Sequence, residues 1–457
     1  EVILAKGESY AAPRAIASFS PVGIDGITDN HYQWVRSRAN HITKVRPRPL
    51  TLNMWEAVYF NHNFEGIKKI VDKAAEIGVE RVVLDDGWFG ARRTDNKGLG
   101  DWVVSPEVWP EGLNPIIEYI NSKGIEFGLW FEGEMVNRDS DLYRAHPDWI
   151  LQEPGRIPVE GRWQQVLDIT KEGAYNHVLE QVSAILGAHN IAYIKWDHNR
   201  HLTDPISDGR PVPRKQTQAI YRMFDELKRR HPGLEIESCA SGGGRVDLGM
   251  IEHADRFWTS DQNDPHERQQ IQRYTAMVIP PEFLGTHVGP TLGHQMHRTD
   301  DIHFRVINAL FGHAGIEWNI TEASEREIEV LKKYVAFYKK YRGLLHSGRV
   351  VRSDLIVGDA YLYGTVAQDK SEAIFSYMQL RSNNNFGPLR ATFEGLEASR
   401  KYRIAVVEDL SSPGFLQKAA PGWWPSVELT GAQLANIGLA LPVLIPDTGL
   451  LFHITSL

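Results

Sequence analysis

One cysteine in 457 residues, Cys239, rules out a disulfide within the chain and makes a reducing, cytoplasmic address the expectation. Excess positive charge is lacking too: 50 Lys and Arg stand against 58 Asp and Glu, a formal net charge of −8 at pH 7. A balance of that sign repels phosphate backbones and anionic bilayers, which argues against nucleic acid and membrane surfaces as partners. Long apolar runs are missing as well. The longest near the C-terminus, residues 434–445, is broken by Asn436 and Pro442 and falls short of the ~20 residues a spanning helix needs. The first six residues, from Glu1 to Lys6, have neither the basic start nor the roughly 7–15-residue apolar core of a secretory signal. No internal repeat, low-complexity tract or long charge run is visible. What remains is 42% apolar and 24% charged, an ordinary globular mix with ample length to bury a core.

From about residue 50, short β-branched or apolar runs alternate with helical patterns, the signature of βα units around a parallel sheet. Eight strands are expected at 50–56, 80–86, 125–131, 191–197, 234–238, 255–260, 283–287 and 315–318. Amphipathic runs at 64–78, 173–187, 216–230 and 265–278 carry apolar residues three or four apart and read as intervening helices. Eight such repeats predict a closed (β/α)₈ TIM barrel, class α/β, over residues 49–346. After a helix near 327–344 the period changes to two, at 360–366, 372–377, 403–407 and 450–454. Residues 347–457 are therefore expected to form a C-terminal antiparallel β-sandwich. Residues 1–48, with Pro13, Pro21, Gly23, Gly26 and Pro47 and no sustained period, read as a lead-in or linker.

Barrel active sites lie at the C-terminal ends of the strands. Strand two ends Leu84-Asp85-Asp86-Gly87-Trp88, strand three Leu129-Trp130-Phe131-Glu132, strand four Ile194-Lys195-Trp196-Asp197 and strand six Trp258-Thr259-Ser260-Asp261. A lone strand-end Asp is often a helix cap and a lone Trp is usually core. Carboxylates with tryptophans on several strands are harder to explain that way. Aromatic faces stack on the C–H faces of sugars and carboxylates accept bonds from hydroxyls, so a pyranose is the natural guest. Lys195 in an apolar run needs a partner, and Asp197 two residues on faces the same way. Two carboxylates flanking one anomeric carbon are what glycoside hydrolysis requires. Asp264, which precedes Pro265, reads instead as a helix cap.

Metal chemistry is the weaker reading. His287, His294, His297 and His303 fall on a Gly- and Pro-interrupted segment without a His-Glu-x-x-His pattern, and read as loop histidines on a solvated surface. Ser241-Gly242-Gly243-Gly244 lacks the spacing of a phosphate loop and suits close approach of backbone to a ligand.

Taken in order, the motifs resemble those of glycoside hydrolase family 36, the α-galactosidase family. They are Asn53-Met54-Trp55-Glu56-Ala57, Leu84-Asp85-Asp86-Gly87-Trp88-Phe89, Leu99-Gly100-Asp101-Trp102, Gly128-Leu129-Trp130-Phe131-Glu132 and Val166-Leu167-Asp168. Lys195-Trp196-Asp197-His198-Asn199-Arg200, Glu237-Ser238-Cys239-Ala240-Ser241-Gly242-Gly243-Gly244-Arg245, Trp258-Thr259-Ser260-Asp261 and Phe311-Gly312-His313 complete the set, which spans most of residues 10 to 350. The resemblance implies a retaining hydrolase of terminal α-galactosyl groups that needs no cofactor and no metal. It implies Asp197 as nucleophile, Asp261 as acid/base, and Asp85 and Asp86 as the pair gripping the 4- and 6-hydroxyls. It further implies a sugar pocket lined by Trp55, Trp130, Arg162, Lys195, Asn199, Cys239, Gly242 and Trp258. The partner implied is an α-galactoside oligosaccharide, with a homo-oligomer as the assembly.

Three departures stand out. Of the family's large N-terminal β-supersandwich only a trailing edge, around Ala17–Ser20 and Trp34–Arg36, matches this sequence. Gly133 stands where the family usually has Pro, and Asn61 and Asn319 stand where Asp is common. An α-N-acetylgalactosaminidase or an α-galactosyl transglycosylase on the same residues are the neighbouring readings, and a non-catalytic carbohydrate-binding protein is the reading from another class.

Overall fold

A computed structural model describes residues 2–38, 46–356, 359–382, 388–412, 414–417 and 419–457. Glu1 and residues 39–45 of the expected lead-in lie outside the described residues.

Eight parallel strands close a barrel. They are β1 Thr51–Asn53, β2 Arg81–Leu84, β3 Glu126–Phe131, β4 Tyr193–Trp196, β5 Glu235–Ser238, β6 Arg256–Trp258, β7 Leu284–Val288 and β8 His313–Ile316. Each neighbours the next in sequence, and β8 pairs with β1 in the register Thr51↔Gly315 and Leu52↔Ile316. All eight expected strands are present; β1 to β6 are shorter than the runs that signalled them, while β7 and β8 keep the expected length, shifted by one and two residues. They are buried nearly end to end, as a parallel sheet covered by helices must be. No helix among the described residues is long and apolar enough to cross a membrane.

The chain divides into two compact units, Glu1–Phe19 with Val58–Val71 and Arg81–Trp258, and Ser20–Ala57 with Asp72–Glu80 and Thr259–Leu457. The first unit holds β2 to β6. At and near the starts of these strands lies a layer of charge pairs: Arg81 donates to Glu235 at 3.0 Å and to Glu126 at 2.8 Å, and Glu237 receives both Arg256 and Tyr193. Buried charges persist only when matched like this, and at the starts of barrel strands they serve stability.

The second unit contains β1, β7, β8 and a six-stranded antiparallel sheet. Its strands are β9 Arg349–Ile356, β10 Ala360–Val366, β11 Glu372–Gln379, β12 Lys401–Val406, β13 Ser426–Thr430 and β14 Thr448–Ser456, in the order β9-β10-β11-β14-β12-β13. Alternation in β12 sends Tyr402, Ile404 and Val406 into a core shared with a short ribbon, Arg390–Ala391 paired with Leu439–Ala440. Phe393 sits edge-on to both Phe375 (5.3 Å) and Phe452 (5.2 Å) there.

One element corrects the reading of residues 1–48 as a linker. Helix α1, Gly23–Arg36, lies within the stretch read as linker. Its inward face is Gly26, Thr28, Tyr32 and Val35, half of it small or polar, in a stretch that Pro21, Gly23 and Gly26 mark as a loop. Specific pairs hold it instead: Arg36 grips Glu282 with two bonds of 2.8 and 2.9 Å, and Asp25 accepts the backbone N–H of Arg352 at 2.7 Å.

Candidate active site

Four strand ends of the first unit, those of β2 to β5, bring their polar residues together. Asp197, the residue after β4, is 7% exposed, and its Oδ1 accepts from the His198 backbone N–H at 2.8 Å and that of Ser241 at 3.4 Å. Its Oδ2 accepts from Trp130 Nε1 at 3.3 Å. Burial by itself would raise its pKa. The Lys195 charge and hydrogen bonds from Asn199, Cys239 and His198 outweigh it, so the carboxyl sits below the ordinary value and stays ionised although buried.

The expected pairing of Lys195 with Asp197 is corrected by the structure. The ammonium donates to Asp85 Oδ2 at 2.8 Å and acts on Asp197 through space. The oxygens of Asp85 and Asp86 are also engaged within the protein. Asp85 Oδ1 accepts the Asp86 backbone N–H at 2.8 Å, and Arg92 grips both oxygens of Asp86, with Nε at 3.0 Å and Nη2 at 2.8 Å. Asp86 Oδ2 takes a second bond from Arg92 Nε at 3.2 Å, so the orientation of the pair is fixed by its cations. Burial raises the Asp86 carboxyl and Arg92 opposes that rise.

Arg92 is a residue the sequence reading missed. It follows β2 in a loop and carries no motif; only its position six residues beyond Asp86 hints at it. Glu132 ends the β3 motif in the sequence, with no role of its own assigned there. It is fully buried, accepts the Asn199 backbone N–H at 2.5 Å, and is pushed up to about 8 by burial and by the Asp197 charge, against the pull of Arg92 and Asn199. It is a neutral acid beside an anion. Glu134 does the opposite: Arg245 at 2.7 Å and Trp196 Nε1 at 3.1 Å help keep it below the ordinary value despite burial.

Of the other expected residues in this unit, Arg162 reaches Asp95 at 3.1 Å and is electrostatically coupled to Glu132 and Asp197. Cys239 is buried after β5, and Gly242 turns the following loop at φ 81°, with its carbonyl accepting from Ala240. Trp258 is buried at the end of β6. Gly133 is required by packing, since a Cβ there would fall 2.5 Å from the Trp196 ring.

In the second unit, Trp55 opens a short helix, Trp55–Val58, with its N–H on Asn53 Oδ1 at 2.9 Å. Asp261 follows β6 by three residues and is exposed. Asp264 caps helix Pro265–Thr275 as expected, accepting the N–H groups of His266 and Glu267. A carboxyl cluster not found from sequence lies after β1 and β8. Asn263 Nδ2 donates to Glu56 Oε1 at 2.8 Å and to Glu317 Oε2 at 3.1 Å, and His287 Nδ1 lies 2.7 Å from that same Glu317 oxygen. Burial, then the Glu317 charge and more weakly that of Asp261, raises the Glu56 carboxyl well above its ordinary value; Asn263 and Arg268 oppose this. Gly315 permits the packing, since a Cβ there would fall 2.5 Å from the His287 ring.

The histidine reading is corrected in part. His287 is a buried strand residue and His303 is buried in helix Ile302–Ala309, bonded to Asp301 at 2.7 Å. His294 and His297 are exposed as expected. Asn319 caps the turn Ile320–Glu322. No group of three or more His, Cys, Asp or Glu among the described residues is arranged to hold a metal ion.

Two family models match the chain: Melibiase over residues 9–348, and the glycosyl hydrolase family 36 C-terminal domain over residues 360–453. An alpha-galactosidase of Escherichia coli is 38% identical over 457 residues, covering 99% of this chain and 64% of that protein. Two solved structures of GH36 alpha-galactosidase AgaA variants from Geobacillus stearothermophilus are similar at 35% identity. One, in complex with raffinose, gives a TM-score of 0.86, and the other, in complex with stachyose, gives 0.87. Each covers 95% of this chain and 59% of its own. The chain thus spans about six-tenths of the length of these relatives.

Proposed function

The chain belongs to the melibiase family and to glycosyl hydrolase family 36, and from that premise we propose that it is an exo-acting, retaining α-galactosidase. Asp197 attacks the anomeric carbon of a terminal α-galactosyl group while Asp261 gives its proton to the departing glycosidic oxygen. The C–O bond to the leaving sugar breaks, and a β-linked galactosyl ester forms on Asp197. Asp261, now a carboxylate, takes a proton from water as that water displaces Asp197, and α-galactose leaves with net retention.

The observation that carries this reading is Asp197 itself: a buried carboxylate held ionised, its orientation fixed by Trp130, His198 and Ser241. An oxygen nucleophile in a low-dielectric site must be prepared in this way. Asp261, at the end of the strand two further around the barrel, suits the acid/base role on the grounds of topology and motif. Asp85 and Asp86, with their cations, offer a fixed acceptor pair for an axial 4-hydroxyl and the 6-hydroxyl. An equatorial 4-hydroxyl would point away from these acceptors and lose a hydrogen bond to a charged group, worth about 1.5–3 kcal/mol. The raffinose and stachyose bound by AgaA point to α-galactosyl oligosaccharides as the substrate class.

The test is turnover of p-nitrophenyl α-galactoside by the purified chain, with the first-formed anomer read by proton NMR. α-Galactose as first product supports the reading. β-Galactose, or no turnover of any α-galactoside, overturns it.

A further inference from the structure

Residues 161–164 form a two-residue hairpin turn in which Gln164 N–H donates to the Gly161 carbonyl at 2.9 Å. Its central residues, Arg162 and Trp163, have φ values of 53° and 57°. Such positions are the province of Gly, Asn and Asp, because a Cβ is crowded in the left-handed region. Two bulky side chains at both positions are therefore held there by the surroundings. Buried Asn137 supplies the hold: its Nδ2 donates to the Trp163 carbonyl at 2.8 Å, while its Oδ1 accepts the Leu99 N–H at 2.8 Å.

The turn aims its side chains in different directions. Gln164 is fully buried, with its amide 3.4 Å from Glu132. Arg162 bonds Asp95 and is coupled to Glu132 and Asp197. Trp163, one residue away, is 57% exposed. It lines an open groove of about 600 Å³ with Tyr143, Asn96, Arg138, Asp139 and Glu160. That volume is in the range of small-ligand sites, and the lining combines two aromatic faces with polar groups that remain in water.

Resting on the proposed function, we propose that Trp163 is the stacking platform for the leaving part of an oligosaccharide, the sugar units beyond the cleaved galactosyl group. The chemistry fits the position. An exo-acting enzyme buries the terminal galactose and must let the rest of the chain pass outward. Arg162 stands beside the nucleophile cluster, and the groove begins at the next residue. A pyranose stacks its C–H face on the indole, and the groove's carboxylates, amide and guanidinium meet its hydroxyls.

The experiment has a binding arm and a kinetic arm. In the Asp197→Asn chain, stachyose and galactose are titrated by calorimetry, with and without Trp163→Ala. The stachyose Kd should rise roughly 3–10-fold on loss of the indole, against less than about twofold for galactose, and Trp163→Phe should restore most of the difference. In the otherwise unaltered chain, kcat/KM for stachyose should fall by the same factor relative to that for α-galactosyl fluoride. Equal loss for both ligands, or no loss for either, overturns the platform. Failure of the hydrolase reading looks different: no turnover in the kinetic arm, while Trp163-dependent stachyose binding in the other arm still sustains the groove.

Discussion

Two buried carboxyl clusters, one in each unit, have different partners and end in different charge states. In the first, Asp85 has Lys195, Asp86 has Arg92 and Glu134 has Arg245, each within 2.8 Å. In the second, Glu56 and Glu317 share the amide of Asn263, with His287 beside Glu317. An amide carries no net charge, so Glu56 keeps its proton while Asp197 and Glu134 give theirs up. The lesson is that burial alone does not set protonation; the supply of nearby cations does. Glu132 sharpens the point, since Arg92 acts on it but is committed to Asp86, and the Asp197 charge and burial win.

The largest expected effect tests whether the ionised cluster is the reacting one. Asp197→Gly should cut turnover of p-nitrophenyl α-galactoside by about 10⁴-fold or more, with azide restoring part of it as the β-galactosyl azide. Loss of less than about tenfold would move the chemistry off this residue.

Lys195→Met tests whether the cations are needed. It leaves Asp85 buried without its ammonium and should cost about 3–5 kcal/mol in urea unfolding. Adding Asp85→Asn should recover much of that stability and little activity. A single-variant loss under about 1 kcal/mol would mean that the pair is not holding charge in place.

Glu132→Gln tests the exception through pH. The folded-state value, about 8, lies above the usual 4.5, so the stability Glu132 contributes is complete below about 4.5 and is lost as pH rises through about 8. The unfolding free energy of the wild type should therefore fall by roughly 2–4 kcal/mol relative to Glu132→Gln between pH 5 and 8.5. A constant difference across that range would show Glu132 to be ionised throughout.

Glu56→Gln is the smallest change. It replaces a protonated carboxyl by its near-isostere, so stability at pH 6 should move by less than about 1 kcal/mol. A loss of several kcal/mol there would mean that Glu56 is charged and that the two clusters are alike.

The sequence by itself determined the barrel and the places on it where chemistry could sit. Eight buried strands separated by amphipathic helices need only local periodicity, and the motifs ending in Asp85, Asp197 and Asp261 are contiguous. Four of the six strands of the antiparallel sheet were legible for the same reason, since a period of two survives in a stretch with one face in a core. Helix α1 was not, because Thr28 and Gly26 occupy its inward face and distant partners, Glu282 and Arg352, anchor it. Pairing was decided only by the tertiary structure. Lys195 takes Asp85, 110 positions away, over Asp197 two residues on. Asn263 reaches Glu56 across 207 positions, and His287 leaves an apparent surface loop for Glu317. Charge state follows pairing, and pairing depends on which strand ends the closed barrel brings within about 3 Å, a distance no one-dimensional spacing contains.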